Sequence, residues 1–393
     1  MIRFAALVLL TIGVPLWADS PLDAVRGRMQ KFVDSGEIAG AVTVIGRADG
    51  VLSHVAVGQQ RLDPPTPMPT DALFRIASMT KPITAMGVMI LAEEGKLRVD
   101  DPIEKHLPEF QGQPLAVSRG PELSILKPPK RPITIRDLLT HTSGLRRDFA
   151  PGFADLYTRR QRTLAEGVIA FSQQPLEFEP GARWAYCNPG IDTLGRVIEV
   201  VSGLSYEQFL DRRIVQPLGL RDTTFYPSEA QLQRLAVTYE RKDGRLTPNP
   251  FVLIGSPAGA KYPVPAGGLY STGADLARRS RLLLNQGALD GVRILRPETI
   301  AAMTRVQTGD LDCGFVPGMS FGYGFGVVRE PGGATERLSP GSYGHGGAFG
   351  TQWWIDPVRG TFTILLIQRR GLPNADASEM RRELQAIAAS APQ

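Results

Sequence analysis

Apolar residues recur every three or four positions in several parts of the chain, and this spacing predicts amphipathic helices. The first apolar face spans residues 22–32, in a segment that closes near Gly36. A longer and more apolar repeat covers residues 79–94 and predicts a buried helix that ends at Gly95. Further repeats predict short helices over 134–140, 163–172, 190–201 and 206–213, and a last helix over 375–389.

Segments rich in valine and isoleucine lie near both ends of the chain and predict β-strands. Residues 41–47 and 51–58 are joined by Ala48-Asp49-Gly50, which is typical of a hairpin turn. Three more strands are predicted over 323–328, 347–355 and 361–368. Because strands at both ends need partners, we expect one antiparallel sheet built from the two chain ends and flanked by helices, in an α/β (α+β) fold.

The middle of the chain differs from its ends, because short helices there are joined by loops rich in proline and glycine. Residues 111–132 form a proline-rich insertion without clear periodicity, which predicts a surface loop. We therefore expect a helical domain over 76–265, inserted into a discontinuous sheet domain of 19–75 and 266–393. A cleft between the two would be the natural place for a site.

The first 18 residues have the pattern of a secretory signal peptide, with Arg3 before an apolar core and Ala18 as a small residue for cleavage. No later stretch is long and apolar enough to span a bilayer. The mature protein is therefore expected to be periplasmic or secreted, without a stable membrane span. An uncleaved anchor is the alternative.

Composition narrows the classes of partner. The net charge is +5, but Lys and Arg never run more than two together, so nothing supports binding to nucleic acid. Two cysteines, Cys187 and Cys313, make neither a disulfide framework nor a metal site, although export would permit one bridge between them. The expected partner is a small molecule.

Ser78 and Lys81 stand three residues apart where the helix over 79–94 begins. On a helix this spacing places both side chains on one face, so the lysine can reach the serine hydroxyl. A serine becomes a nucleophile when a neighbouring base takes its proton, and lysine can be that base if burial keeps it neutral. Pro82 fits the first turn of the helix, where its missing N–H costs nothing. Alone, the pair could equally be a helix cap beside a solvated cation.

Tyr186 and Asn188 lie on alternate positions of a turn before a predicted helix, so their side chains can point the same way. A phenol near a lysine can move protons, and a carboxamide can hold a substrate amide. The alternative is an ordinary turn in which Asn188 caps the helix.

His345 lies in a segment with four glycines among residues 344–350. Glycine inside a strand often marks the close approach of a ligand or another backbone. His345 would then project into the cleft, with Gly347 and the N–H of Ala348 beside it. The alternative is a glycine-rich hairpin with an incidental histidine.

Two other patterns are rejected as catalytic. Residues 318–322 satisfy G-x-S-x-G around Ser320, but an esterase elbow needs a helix after the serine, and a strand-like segment follows here. His141 lies at the end of a predicted helix and is interpreted as scaffold. Motifs for a metal protease, a phosphate-binding loop or a dinucleotide fold are absent, so no metal and no cofactor are expected.

In chain order, S-x-x-K at 78–81, Y-x-N at 186–188 and H-G-G at 345–347 resemble the active-site triplet of the serine β-lactamase and penicillin-binding protein superfamily. The resemblance is to the branch with class C β-lactamases, family VIII carboxylesterases and DD-peptidases, and it covers nearly all of the mature chain. It implies a β-lactamase/transpeptidase-like fold. Segments 138–145, 217–220 and 267–272 are also similar to this family.

The resemblance implies a role for each matching residue. Ser78 would be the acylated nucleophile, Lys81 its base and Tyr186 the proton shuttle that also activates the deacylating water. Asn188 would bind the acyl amide. The backbone N–H groups of Ser78 and Ala348, with Gly347 beside them, would form the oxyanion hole. His345 would occupy the position where the family usually has a lysine.

This sequence departs from the family pattern at the third motif, where His345 replaces lysine and Gly346 replaces threonine. A histidine of ordinary pKa is mostly neutral at pH 7, so both changes weaken the grip on a substrate carboxylate. The expected function is an exported serine hydrolase that acts through an acyl-enzyme on small esters or amides. The alternatives are a DD-peptidase or D-aminopeptidase on cell-wall peptides, and a non-catalytic penicillin-binding or sensor module.

Overall fold

The computed structural model describes residues 21–119, 124–149, 152–249 and 254–391. The predicted signal peptide, residues 1–18, lies outside these ranges. The division of the chain into a sheet domain and an inserted helical domain stays a prediction.

Each predicted helix is present, four further α-helices in the described part of the chain were not predicted, and all are numbered here in chain order. They are α1 Ala24–Asp34, α2 Lys81–Glu93, α3 Ile135–Leu139, α4 Leu156–Arg159, α5 Leu164–Ser172, α6 Asn188–Ser202, α7 Tyr206–Leu210, α8 Glu229–Gln233, α9 Gly273–Leu284, α10 Pro297–Thr304 and α11 Glu379–Ser390.

The strands are numbered in the same way. They are β1 Gly40–Arg47, β2 Val51–Leu62, β3 Pro65–Pro67, β4 Phe74–Arg75, β5 Leu115–Arg119, β6 Ser124–Lys127, β7 Tyr239–Lys242, β8 Arg245–Pro248, β9 Tyr270–Ser271, β10 Ala288–Leu289, β11 Val292–Arg293, β12 Met319–Phe321, β13 Gly326–Val328, β14 Tyr343–Gly346, β15 Gln352–Asp356, β16 Thr361–Leu366 and β17 Arg369–Arg370.

The main sheet has eight antiparallel strands in the order β12-β13-β14-β15-β16-β1-β2-β3. Its two halves meet where β1 pairs with β16, with Val42 opposite Leu366. The predicted sheet built from both chain ends is therefore confirmed, and so is the predicted hairpin between β1 and β2.

Helices cover both faces of this sheet. On one face, α1 and α11 pack apolar residues such as Met29 and Leu384 against Ile45 and Leu365. On the other face lies α9, where a Cβ on Gly273 would come within 2.9 Å of Val44 Cγ2. Because both faces are covered, β1 and β16 are buried along almost their whole length, and even polar residues such as Thr43 and Thr363 are enclosed.

Helix α2 lies in the centre of the molecule, and all its residues from Lys81 to Leu91 are buried. Pro82 occupies its first turn, as predicted. Gly87 allows α6 and α7 to come close, because a Cβ there would lie 2.9 Å from side-chain carbons of both Ile198 and Leu210. A helix enclosed in this way is a rigid support for the residues at its N-terminus.

Several predicted elements differ in detail. The proline-rich insertion contains the two-stranded hairpin β5–β6 and is not only a loop. The predicted strand over 347–355 begins only at Gln352, because residues 347–350 form a turn or bend. The last helix begins at Glu379, after a short 3₁₀ turn at Ala375–Ala377.

Cys187 and Cys313 are both buried and unbridged, so the bridge that export would permit does not form. Within the described ranges, no helix combines the length and apolar character needed to cross a membrane.

Candidate active site

Ser78 lies on a 3₁₀ turn, Ala77–Thr80, between β4 and α2. The preceding residue, Ala77, has φ +45°, a left-handed conformation that a residue with a side chain adopts at a cost. The α-helix begins at Lys81 and not at Met79, so Ser78 stands on the turn before the helix. The tight turn holds the serine hydroxyl at the N-terminal end of α2.

Lys81 is brought next to this hydroxyl, with its Nζ 3.1 Å from Ser78 Oγ. The same Nζ donates a 2.7 Å hydrogen bond to the carbonyl of Ala266 and lies 4.6 Å from the centre of the Tyr186 ring. Lys81 has no exposed surface, and burial lowers its pKa to about 7. A substantial fraction of Lys81 is therefore neutral at neutral pH and can accept a proton.

Asp192 stands behind Lys81, and sequence analysis did not single it out. Its carboxylate is buried and accepts hydrogen bonds from the hydroxyls of Tyr157 and Tyr262 and from the N–H of Ala266. Burial raises the pKa of Asp192 to about 6, and its negative charge raises the pKa of Lys81 against the effect of burial. Asp192 thus positions the Ala266 carbonyl and tunes the lysine.

Tyr186 and Asn188 flank the start of α6. The hydroxyl of Tyr186 faces Ser78; burial raises the pKa of Tyr186, and the interaction with Ser78 opposes this. Asn188 is the first residue of α6 and makes no capping hydrogen bond. Its Oδ1 is buried and has no partner among the described residues, so the capping alternative is not what the structure shows.

His141 makes hydrogen bonds to the segment that carries Tyr186 and Asn188. Its Nδ1 accepts a 3.2 Å hydrogen bond from the N–H of Cys187, and its carbonyl accepts one of 2.9 Å from Ala185. The ring is buried and lies 4.6 Å from the Tyr186 ring, centre to centre. These contacts agree with a scaffold role for His141.

His345 lies in the middle of β14, between its neighbours β13 and β15. Its Nδ1 lies 2.6 Å from the carbonyl of Gly346, so Nδ1 carries the proton and Nε2 is an acceptor. Nε2 is buried and has no hydrogen-bond partner in the described part of the chain. Burial, with the nearby charge of Lys81, lowers the pKa of His345 to about 3. The ring is neutral at any physiological pH.

Gly347 and Ala348 form the turn that follows β14. A Cβ on Gly347 would lie 2.1 Å from Thr351 Oγ1 and 2.6 Å from the carbonyl of Ile76. Only glycine lets this turn close against the chain two residues before Ser78. The turn that contains Ala348 is thereby held against the chain that leads to Ser78, and the role of the Ala348 N–H as an oxyanion donor stays a prediction.

Ser320 is placed elsewhere. It lies within β12, is fully buried, and its hydroxyl is 2.8 Å from that of Thr308. No helix follows it, so the geometry of an esterase elbow is absent here. In the described part of the chain, no group of three or more His, Cys, Asp or Glu side chains could hold a metal ion.

Comparison with known proteins gives a family and several relatives. The sequence model of the beta-lactamase family matches residues 25–388. Esterase EstB of Burkholderia gladioli is 32% identical over 361 residues, which cover 84% of this chain and 86% of EstB. Penicillin-binding protein 4 of Amycolatopsis lactamdurans is 30% identical over 342 residues, which cover 86% of this chain and 82% of that protein.

Solved structures show the same fold. EstCE1, described as a hydrolase with promiscuous acyltransferase activity, superimposes with a TM-score of 0.77 at 27% identity. The superposition covers 94% of this chain and 98% of EstCE1.

Proposed function

Because the chain belongs to the beta-lactamase family, we propose that it is a serine hydrolase that forms an acyl-enzyme on Ser78 and acts on small neutral esters. The proposal rests mainly on Lys81, whose Nζ is buried and lies 3.1 Å from Ser78 Oγ. Burial lowers the pKa of Lys81 to about 7. A lysine of this kind can remove the serine proton without help from a histidine. A relative named as an esterase and a solved structure described as a hydrolase support the same reaction class.

The reaction follows from the positions of the groups. Neutral Lys81 takes the proton of Ser78, and Oγ bonds to the ester carbonyl carbon. The negative charge that develops on the carbonyl oxygen is stabilised by the N–H groups of Ser78 and Ala348. A proton passes through Tyr186 to the leaving alkoxide as the ester C–O bond breaks. Water then attacks the acyl-enzyme in the same way. It gives up its proton through Tyr186, and Ser78 Oγ leaves and takes up a proton as the acid is released.

The preference for neutral substrates follows from the third motif. His345 carries no charge at neutral pH, since its pKa is about 3, and Gly346 offers no hydroxyl. A charge-assisted hydrogen bond contributes roughly 1.5 to 3 kcal/mol. Its loss therefore weakens the binding of substrates that carry a carboxylate by about one to two orders of magnitude. Short neutral esters lose nothing by this change.

The test compares Ser78→Ala with Ser320→Ala. Purified protein is labelled with a fluorophosphonate probe, and the modified peptide is identified by mass spectrometry. We expect Ser78→Ala to lose labelling and Ser320→Ala to keep it; the reverse would refute the proposal. The kcat/KM for p-nitrophenyl butyrate should exceed that for a chromogenic cephalosporin, and D-Ala-D-Ala peptides in the same assay distinguish the DD-peptidase alternative.

The pattern of residues 1–18 supports export to the periplasm or the medium. N-terminal sequencing of protein recovered from each compartment tests this, and full-length protein confined to the cytoplasm would refute it.

A further inference from the structure

A mostly apolar cavity, open to solvent on one side, lies beside His345. Its walls come from the loop before β12 and from the strands β12 to β15, and two charged residues border it, one in the 3₁₀ turn before α11 and one in the first turn of α11. The apolar lining includes Phe315, Val316, Met319, Phe321 and Trp354, and the charged residues are Asp376 and Arg381.

The cavity adjoins side chains that surround the nucleophile. His345 lines it, and the ring of Phe315 lies 5.1 Å from that of Tyr186, whose hydroxyl faces Ser78. One substituent of an ester bound at Ser78 can therefore enter the cavity.

Asp376 occupies the place that a side chain at position 346 would take. A Cβ on Gly346 would lie 2.3 Å from Asp376 Oδ1 and 2.7 Å from Gln352 Nε2. Gln352 Nε2 donates a 3.1 Å hydrogen bond to the same Oδ1 and holds the carboxylate in place. A side chain at 346 would therefore have to displace Asp376 and Gln352, and a carboxylate stands where the family has a threonine hydroxyl.

Of the two charged side chains that line the cavity, Asp376 is more exposed than Arg381. Arg381 is buried against Trp354, with its guanidinium 4.0 Å from that ring, and it donates to the backbone carbonyl of Asp376. The nearest approach of its Nη1 to Asp376 Oδ1 is 4.0 Å. The side chain of Asp376 remains 19% exposed, against 1% for Arg381, and His345 is neutral. An anion entering the cavity meets the carboxylate first.

We propose that Asp376 is a specificity-determining residue: it excludes substrates with a carboxylate from this cavity, which accepts an uncharged apolar substituent of the ester. The inference rests on the proposed function and deepens it. It adds active repulsion to the loss of attraction at His345 and Gly346, because like charges at short range disfavour each other.

The main experiment measures kcat/KM for matched neutral and anionic esters. One pair carries the charge on the acyl half, p-nitrophenyl butyrate against p-nitrophenyl hemisuccinate. The other carries it on the alcohol half, phenyl acetate against 4-acetoxybenzoate. In Asp376→Asn, which keeps an acceptor for Gln352, the anionic-to-neutral ratio should rise about tenfold in at least one pair. An unchanged ratio in both pairs overturns the inference.

Asp310→Asn is the matched control. Asp310 is fully exposed and does not line the cavity, so its loss changes the net charge equally and should leave both ratios as in the wild type. An equal rise in the control would show a general charge effect and overturn the assignment to Asp376.

A second variant tests the steric coupling. Gly346→Thr alone should lose activity on every substrate, because the new side chain meets Asp376. In Gly346→Thr/Asp376→Ala, activity should recover and cephalosporin turnover should exceed that of the wild type. Failure of the second substitution to restore any activity would contradict the coupling.

One measurement requires no variant. In the wild type, kcat/KM for the anionic esters should rise with ionic strength relative to the neutral ones, because salt screens the repulsion. A flat ratio overturns the inference even if the variants do not fold. The proposed function fails separately, by ester turnover that survives Ser78→Ala.

Discussion

Lys81 shows how burial changes the chemistry of a single residue. Sequence analysis placed it one helical turn from Ser78, and the structure confirms that the two side chains are in contact. The condition for its role as base is a lowered pKa. The apolar repeat of residues 79–94 predicted that the helix is buried, but it does not show the groups that set the pKa of Lys81. The three hydrogen bonds that hold Asp192 behind it come from distant parts of the chain.

The pH dependence of ester hydrolysis should report this lysine. Because Lys81 must be neutral, kcat/KM for p-nitrophenyl butyrate should rise through a midpoint near pH 7. The pKa of His345 is about 3 and burial holds that of Tyr186 above its usual range, so neither titrates near pH 7, whereas Asp192, whose pKa burial raises to about 6, titrates just below Lys81. In Asp192→Asn the midpoint should move to lower pH, because the carboxylate that favours the lysine cation is gone.

The measurement is a pH–rate profile from pH 5 to 9, corrected for spontaneous hydrolysis, with thermal unfolding of Asp192→Asn as the control for folding. A wild-type rate that does not change between pH 6 and 8 would exclude Lys81 as the base.

Asp192 and Asp376 could not be found from the sequence for a common reason. Each acts on a residue that is far away along the chain, Asp192 on Lys81 and Asp376 on Gly346. Neither belongs to a motif, and an aspartate in a helical segment ordinarily lies on a solvated face. By contrast, the neutrality of His345 was predicted from its ordinary pKa, and burial strengthens it.

At the scale of elements, the turn after β14 was predicted wrongly. The segment over 347–355 was interpreted as one strand because apolar residues follow Gly347, but the chain turns at 347–350 and pairing resumes at Gln352. The reason is a tight turn in which the N–H of Gly350 bonds to the carbonyl of Gly347. This turn brings Gly347 against the carbonyl of Ile76, two residues before Ser78.

Gly347→Ala should therefore reduce activity. Its Cβ would meet the backbone carbonyl of Ile76 at 2.6 Å and displace the turn that carries the N–H of Ala348. Loss of one oxyanion donor typically lowers kcat by about 10²- to 10³-fold. The measurement is kcat for p-nitrophenyl butyrate together with the rate of fluorophosphonate labelling.

Gly27→Ala is the matched control, because nothing lies within 4 Å of a Cβ there and the residue is in α1. It should keep full activity and gain roughly 0.5 to 1 kcal/mol of stability. If Gly347→Ala also keeps wild-type rates, the turn does not supply a donor.

At the scale of the whole molecule, the main sheet forms because strands near both ends of the chain need pairing partners. Val42 and Leu366 come from opposite ends and pair in the centre of the sheet, as the patterns of 41–47 and 361–368 predicted. Helix α9, which covers the second face, was not predicted. It carries buried Arg279 and half-buried Arg278, so its apolar positions are interrupted by charges that obscure the period.

Burial of Lys81 lowers the free energy of unfolding of the whole protein, and the size of this effect depends on pH. The pKa of Lys81 is about 7 in the folded protein, against 10.5 for an exposed lysine. Between these values the unfolded chain binds a proton that the folded protein does not, so stability rises with pH from about 7 to 10.5 and the penalty is complete below 7. At about 1.4 kcal/mol per pKa unit, the penalty is on the order of 5 kcal/mol.

Lys81→Met removes the charge and keeps an apolar stem of similar length, so the inactive variant should be more stable than the wild type at pH 6. The lost hydrogen bond to Ala266 offsets about 1.5 kcal/mol, which leaves a gain on the order of 3 kcal/mol. Urea unfolding of both proteins at pH 6, 8 and 10 measures this, and the gain should shrink as pH rises. Lys31→Met, at an exposed position of α1, is the control and should show no such trend. A difference between Lys81→Met and the wild type that does not depend on pH would mean that Lys81 is not held in a neutral, buried state.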